Sequence, residues 1–112
     1  MKVQMQGQCV RLRVDEEELQ ALLEGREVEN ATCFGAGAPF RLGLSLTMIP
    51  AAAIRASTSG WQVLLPEPAV RALVCKLPCK EGLALSVPID QNIDLSLHFD
   101  VDVRDSARAR GK

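Results

Sequence analysis

Tyrosine is absent from the 112-residue sequence, and the aromatic residues are Trp61, Phe34, Phe40 and Phe99. A core built from this chain must therefore be aliphatic, filled by Val, Leu, Ile and Ala. No apolar run approaches the roughly 20 residues a helix needs to span a bilayer. The opening MKVQMQGQCV alternates polar with apolar residues and lacks the continuous apolar segment of a secretory signal. Basic excess is also missing: 13 Lys and Arg stand against 14 Asp and Glu, a formal net charge of −1. A dedicated nucleic-acid binder would displace counterions with a surplus of cations, and none is present. These absences point to a cytoplasmic chain, where thiols stay reduced and four cysteines do not imply disulfides.

Apolar residues make up 47% and charged residues 24%, a balance that permits one ordinary hydrophobic core without metal or disulfide support. Residues 1–105 are expected to form a single domain. Residues 106–112, with the basic run RARGK (Arg108 to Lys112), are expected to be a flexible tail.

Residues 2–14 read as two short strands around Gly7. In CVRLRV, Val10, Leu12 and Val14 alternate with Arg11 and Arg13, giving one buried and one basic face. DEEELQALLEG reads as a helix: Asp15 can cap the free N–H groups, and Glu18 can reach back to complete a capping box. Leu19, Leu22 and Leu23 form its apolar stripe, and Gly25 its left-handed stop. The acidic cluster Asp15 to Glu18 is explained by capping and the helix dipole, not by catalysis. REVENATCFGAGAP predicts a strand ending at Gly35 and a Gly-rich loop. GAGAP lacks the Lys-Ser/Thr of a phosphate-binding loop and the third Gly of a dinucleotide fingerprint, so it reads as a turn. A half-buried strand follows from Phe40 to Met48, ended by Pro50, then a hairpin through Thr58 to Gly60. A second short helix lies in PEPAVRALVCK, curtailed by Pro78. Two strands close the chain, one carrying Leu83, Leu85, Val87 and Ile89, the other running from Ile93 to Val103.

Sliding the sequence by 51 residues sets VRLRVDEEELQALLEG on WQVLLPEPAVRALVCK, so that Leu12 meets Val63, Val14 meets Leu65, Leu19 meets Val70 and Leu22 meets Leu73. Amphipathic helices after strands look alike, and chance is a rival explanation. A true repeat would favour a pseudo-twofold barrel or a pair of sheets sharing one core. The expected fold class is α+β: a mostly antiparallel sheet or barrel of about seven or eight strands with two short helices.

The stretch VRLRVDEEELQALLEGREVENATCFG resembles the start of a family of short bacterial proteins of unknown function. That resemblance rests on the strand with alternating Arg, the acidic-capped helix, Gly, Val-Glu and Phe-Gly. LSLHFDVDVRD is loosely similar to the family's ending. The family implies a bacterial context and no mechanism. VLLPEPAVRALVCKLPCKEGLALSV resembles the strand, Pro, helix, Gly-turn, strand unit of swapped-hairpin DNA-binding regulators through Leu65-Pro66, Arg71-Ala72-Leu73 and Glu81-Gly82, although CKLPC interrupts the pattern.

Four features invite chemistry. Cys75 and Cys79 in CKLPC have the spacing of a zinc half-site, but the remaining candidate ligands are Cys9, Cys33 and His98, and no second close pair exists. In extended form their α-carbons would stand about 13 Å apart, beyond disulfide reach. Unliganded thiols acting as small buried hydrophobes are the first reading, zinc the second, redox the third. The last strand places Asp94, Ser96, His98, Asp100 and Asp102 on one face. Same-face neighbours about 7 Å apart cannot form a hydrogen-bonded triad, and alternating charge suits a protected sheet edge. A cation held by Asp100 and Asp102 would need further oxygen ligands. Arg11, Arg13 and Arg41 read as one exposed sheet face, either an anion or partner patch or simple cross-strand pairs with Glu27 or Glu29. Trp61 reads as a partner anchor or a cover for the core edge.

No nucleophile, base and orienting group can be assembled from these residues. The expected function is a non-enzymatic interaction module, without a cofactor, binding a protein partner or itself. The alternatives are a swapped-hairpin-like DNA-binding regulator and a protein holding zinc at Cys75 and Cys79. Nucleic acid is the less favoured partner and membrane is excluded.

Overall fold

The computed structural model describes residues 1–77 and 81–103. Cys79 and the basic tail lie outside the described residues, and so do the expectations placed on them. The elements run β1 (Lys2–Gln6), β2 (Cys9–Asp15), α1 (Glu16–Leu23), β3 (Val28–Thr32), β4 (Phe40–Thr47), β5 (Ala53–Ser57), β6 (Gly60–Pro66), α2 (Glu67–Val74), β7 (Leu83–Asp90) and β8 (Ile93–Asp102). The α+β class is therefore as the sequence implies. Strand β3 stops at Thr32, short of Gly35, and the glycine-rich connection begins there.

The strands form two four-stranded sheets, in the orders β1-β2-β8-β7 and β3-β4-β6-β5. The barrel alternative is overturned: each sheet is open and ends in edge strands. Outer pairs are antiparallel hairpins, while the central pairs, β2 with β8 and β4 with β6, are parallel. Mixed pairing follows from an exchange. The β1-β2 hairpin of the first half pairs with the β7-β8 hairpin of the second, and β3-β4 pairs with β5-β6. In each sheet the two hairpins meet through their second strands, which run in the same direction.

The 51-residue shift is thereby a structural repeat. Strand β2 corresponds to β6 and helix α1 to α2, residue for residue at that offset. Replacing β1, β2, β8 and β7 by their equivalents β5, β6, β4 and β3 turns the strand order of one sheet into that of the other. Leu12, buried in β2, corresponds to Val63, buried in β6, and Leu22 to Leu73.

Helix α1 forms where the sequence supplies both of its ends. Asp15 Oδ1 accepts from the Glu18 backbone N–H at 2.7 Å, and Glu18 Oε1 accepts from the Asp15 N–H at 3.0 Å. At the other end Arg26 N–H donates to Ala21 O and Gly25 N–H to Leu22 O, with Gly25 at φ +87°, a Schellman stop. Glu24, at the unfavourable negative end of the helix dipole, has its carboxyl held below the usual range by hydrogen bonding from Gln20 and then by Arg26. Helix α2 lacks a side-chain cap and relies on Pro68 near its start and the Arg71–Glu67 pair at 2.7 Å.

Both helices lie at the end where β2, β4, β6 and β8 finish. Helix α1 packs on β2, β3, β4 and β8, α2 packs on β6 and β7, and Arg71 NH2 donates to Leu23 O across the two helices at 3.4 Å. The four hairpin connections occupy the opposite end. Between the sheets sits one aliphatic core, with Leu12, Val14, Leu22, Leu44, Val63, Leu65, Val70, Leu97 and the single buried aromatic Phe99 all shut off from solvent.

Gly60 and its equivalent Cys9 test the close approach of the central strands. A Cβ on Gly60 would fall 1.9 Å from the backbone oxygen of Arg41 on β4. Backbone cannot rotate away as a side chain does. Gly60→Ala is expected to cost about 3 kcal/mol or more in urea unfolding, whereas Cys9→Ala, at an exposed site, should stay within about 0.5 kcal/mol.

Candidate functional site on the outer face of the first sheet

Because Val10, Leu12 and Val14 point into the core, Arg11 and Arg13 point outward. Antiparallel pairing sets Gln4 opposite Arg11 and Lys2 opposite Arg13. On the other flank the parallel register sets His98 beside Arg11 and Asp100 beside Arg13. The outer face of this sheet thus carries a basic band on β1 and β2 and an acidic band on β8.

The two bands meet at Arg13 and Asp100. Arg13 Nε donates to Oδ1 of Asp100 at 3.0 Å and NH2 to Oδ2 at 3.4 Å. The Asp100 side chain is 6% exposed, the Arg13 side chain 47%. The hydrogen bond to Asp100, then that carboxylate's charge, raises the Arg13 guanidinium above its ordinary value, with Asp102 adding a smaller share. Arg13 is cationic in any case, so the pair positions and neutralises; it does not exchange protons. Strand β8 is not an edge strand, since β2 and β7 flank it. Its alternating charge therefore does not protect an edge: Asp100 is buried and bound to Arg13.

Lys2 and Arg11 have no ion-pair partner among the described residues. With Gln4 and Arg13 they line a cavity of about 290 Å³ into which no carboxylate of the described residues projects. A neighbouring hollow of about 150 Å³, bounded by Lys2, Arg13, Asp15, Glu18 and Asp102, carries both signs.

The second sheet resolves its charges differently. Arg41 NH1 donates to Glu29 Oε1 at 2.6 Å, the cross-strand pairing that sequence suggested for this residue. Arg55 donates to Gln62 at 2.9 Å, and Gln62 donates in turn to Glu27 at 3.0 Å and Ser45 at 3.3 Å. Arg11, Arg13 and Arg41 consequently do not share a face: the first two lie on one sheet and Arg41 on the other. Trp61 lies on the inner face of β6, in line with buried Val63 and Leu65, at the hairpin end where the core runs out; it is 46% exposed. Sequence reasoning missed Lys2 and Gln4. The signal was present in the alternation of KVQMQ facing that of CVRLRV across Gly7.

Cys9, Cys33 and Cys75 are free and exposed, which overturns the reading of Cys75 as a small buried hydrophobe. The helix ends at Val74, and Cys75 caps it facing solvent. Cys79, its partner in the zinc reading, lies outside the described residues. Among the described residues no group of three or more His, Cys, Asp or Glu side chains is placed to hold a metal ion. His98 and Asp100 share the outer face without a hydrogen bond between them: Asp100 is engaged by Arg13, and His98 Nδ1 is buried with no hydrogen-bond partner among the described residues. Among the described residues no helix is long and apolar enough to cross a membrane.

A two-sheet chain with this strand, capped helix and glycine stop can be set against known families. The model of the family of unknown function DUF7009 matches residues 1–105. The chain belongs to that family. The resemblance read in the first third of the sequence thus extends through both halves, across all eight strands. A search of curated proteins finds no match.

The Arg13–Asp100 pair gives a direct test. Arg13→Gln strands a buried carboxylate and is expected to cost about 2 kcal/mol, below the 3–5 kcal/mol of fully buried pairs because Arg13 is half exposed. Asp100→Asn, which leaves no buried charge, should cost less. Urea unfolding of both variants would refute the role assigned to this pair if Arg13→Gln proved the milder change.

Proposed function

We propose that this protein is a non-enzymatic, cytoplasmic interaction module whose contact surface is the hairpin end, and that its first partner is a second copy of the chain. One observation carries this reading. Met5, Phe34, Trp61, Ile89 and Ile93, five of the seven large apolar side chains left exposed among the described residues, all flank hairpin connections at the end away from the helices. Met5 and Ile93 continue the inner rows of the first sheet and Trp61 that of the second, while Ile89 sits at the irregularity between Pro88 and Asp90. Phe34 leans on Phe40 with ring centroids 6.4 Å apart. The core is closed at one end by two helices and left open at the other. Apolar surface concentrated in this way favours association, and a Trp amid aliphatic neighbours is the usual kind of anchor. The non-enzymatic part rests on the chemistry of the outer faces, where the described side chains form no linked nucleophile, base and orienting group.

A second reading, a DNA-binding regulator, draws support from the exchanged hairpins, the arrangement that the resemblance to swapped-hairpin regulators implies. Its mark would be duplex binding that falls steeply as salt rises.

Trp61 is the sole tryptophan, so its emission reports this surface alone. Sedimentation velocity over a concentration series should show association, accompanied by a blue shift of Trp61 emission. Trp61→Ser and Ile93→Ser should each weaken association about tenfold or more without lowering stability comparably. A chain that remains monomeric at the highest attainable concentration would overturn self-association.

A further inference from the structure

We infer that the outer face of the first sheet holds a binding site for a small phosphate-type oxyanion, with Lys2 and Arg11 as the charged ligands and Gln4 as a neutral donor. The site is independent of the hairpin-end surface and uses none of its residues.

Two of the three cations on this face have no ion-pair partner among the described residues. Arg13 is neutralised by Asp100, whereas Lys2 and Arg11 find no ion-pair partner among the described residues and open onto the same cavity of about 290 Å³. That volume lies near the lower bound of the roughly 300–1,000 Å³ typical of small-ligand sites. Folding does not require unpaired cations here. The 51-residue shift sets Lys2 on Ala53, Gln4 on Arg55, Arg11 on Gln62 and Arg13 on Leu64, and on that second face Arg55 is tied to Gln62 and Gln62 to Glu27. The same scaffold therefore forms an equivalent sheet with its polar groups internally satisfied.

His98 stands beside Arg11 in the register, but its Nδ1 is buried and the described residues lining the cavity are Lys2, Gln4, Arg11 and Arg13, so the imidazole is not counted among the ligands.

The charge decides the ligand class. A phosphate monoester carries about −1.5 to −2 at neutral pH, matching the two unpaired cations that line the cavity. The planar guanidinium of Arg11 suits two of its oxygens, and the Lys2 ammonium serves as a mobile point charge. A nucleic-acid backbone is disfavoured, because binding that rests on 6–10 phosphate contacts needs a wider basic track. Here Asp15, Asp94, Asp100 and Asp102 lie on the same face.

The test is calorimetric titration of the untagged full chain with inorganic phosphate at an ionic strength of about 0.01 M, where the Debye length is about 30 Å. Saturable one-to-one binding is expected. Lys2→Gln and Arg11→Gln should each weaken it about tenfold or more. Arg41→Gln, on the other sheet and already paired, should leave it unchanged. Circular dichroism melts of each variant separate lost binding from lost folding, and Arg11→Lys should recover part of the affinity if charge is what counts. Absence of saturable binding at millimolar phosphate would overturn the inference, as would equal binding by the Lys2→Gln, Arg11→Gln double variant. A short DNA duplex binding far more tightly than phosphate, with a salt slope well above two, would replace this site with a nucleic-acid surface.

Discussion

The parallel pairing of β2 with β8, and of β4 with β6, is the constraint from which the remaining architecture follows. Each half of the chain supplies two hairpins and a helix, and neither half can bury its own apolar rows. Val10, Leu12 and Val14 acquire their in-sheet neighbours Leu97, Phe99 and Val101 from the far end of the sequence. Because the β2–β8 pairing joins residues from opposite ends of the chain, the first sheet cannot form until both halves are present. Such non-local contacts slow folding, since loop closure is opposed by entropy before burial compensates for it. The helices then seat where the parallel strands finish and bridge the two sheets. The hairpin ends are left uncovered.

The outer faces follow from the same pairing. Register sets Arg13 beside Asp100 and His98 beside Arg11, neighbours that no local pattern in β1-β2 or β7-β8 would join. A buried carboxylate on an outward-facing position needs a specific cation, and the parallel register delivers one. The second sheet, with Gln62, Ser45 and Gly43 at the corresponding central positions, has no such demand, and Glu27 lies over Gly43 instead.

Local signals carried most of the element assignments. Alternation in CVRLRV, the capping pair of Asp15 and Glu18 and the stop at Gly25 are properties of adjacent residues, and the structure reproduces them. The 51-residue shift was also legible, because the repeat keeps its apolar rows even where Leu12 has become Val63. What sequence could not show was which hairpin pairs with which. Alternating charge on β8 is the same whether that strand lies at an edge or between two others, and only the pairing shows it to be internal. For the same reason Arg41, which shares its alternation with Arg11 and Arg13, could not be assigned to the other sheet. Cys75 was misplaced because the end of α2 depends on packing more than on its residue types.

The exchange of hairpins within a single chain has one more consequence. A homodimer assembled from two identical halves would place every substitution at two sites at once. A basic residue gained on one sheet would appear on the other, whether or not it was useful there. Joining the halves through Met48 to Ala52 removes that coupling. Cys9 and Gly60, or Arg13 and Leu64, can then differ although the scaffold treats them as one position, so one molecule can present two chemically distinct faces on a nearly symmetric frame.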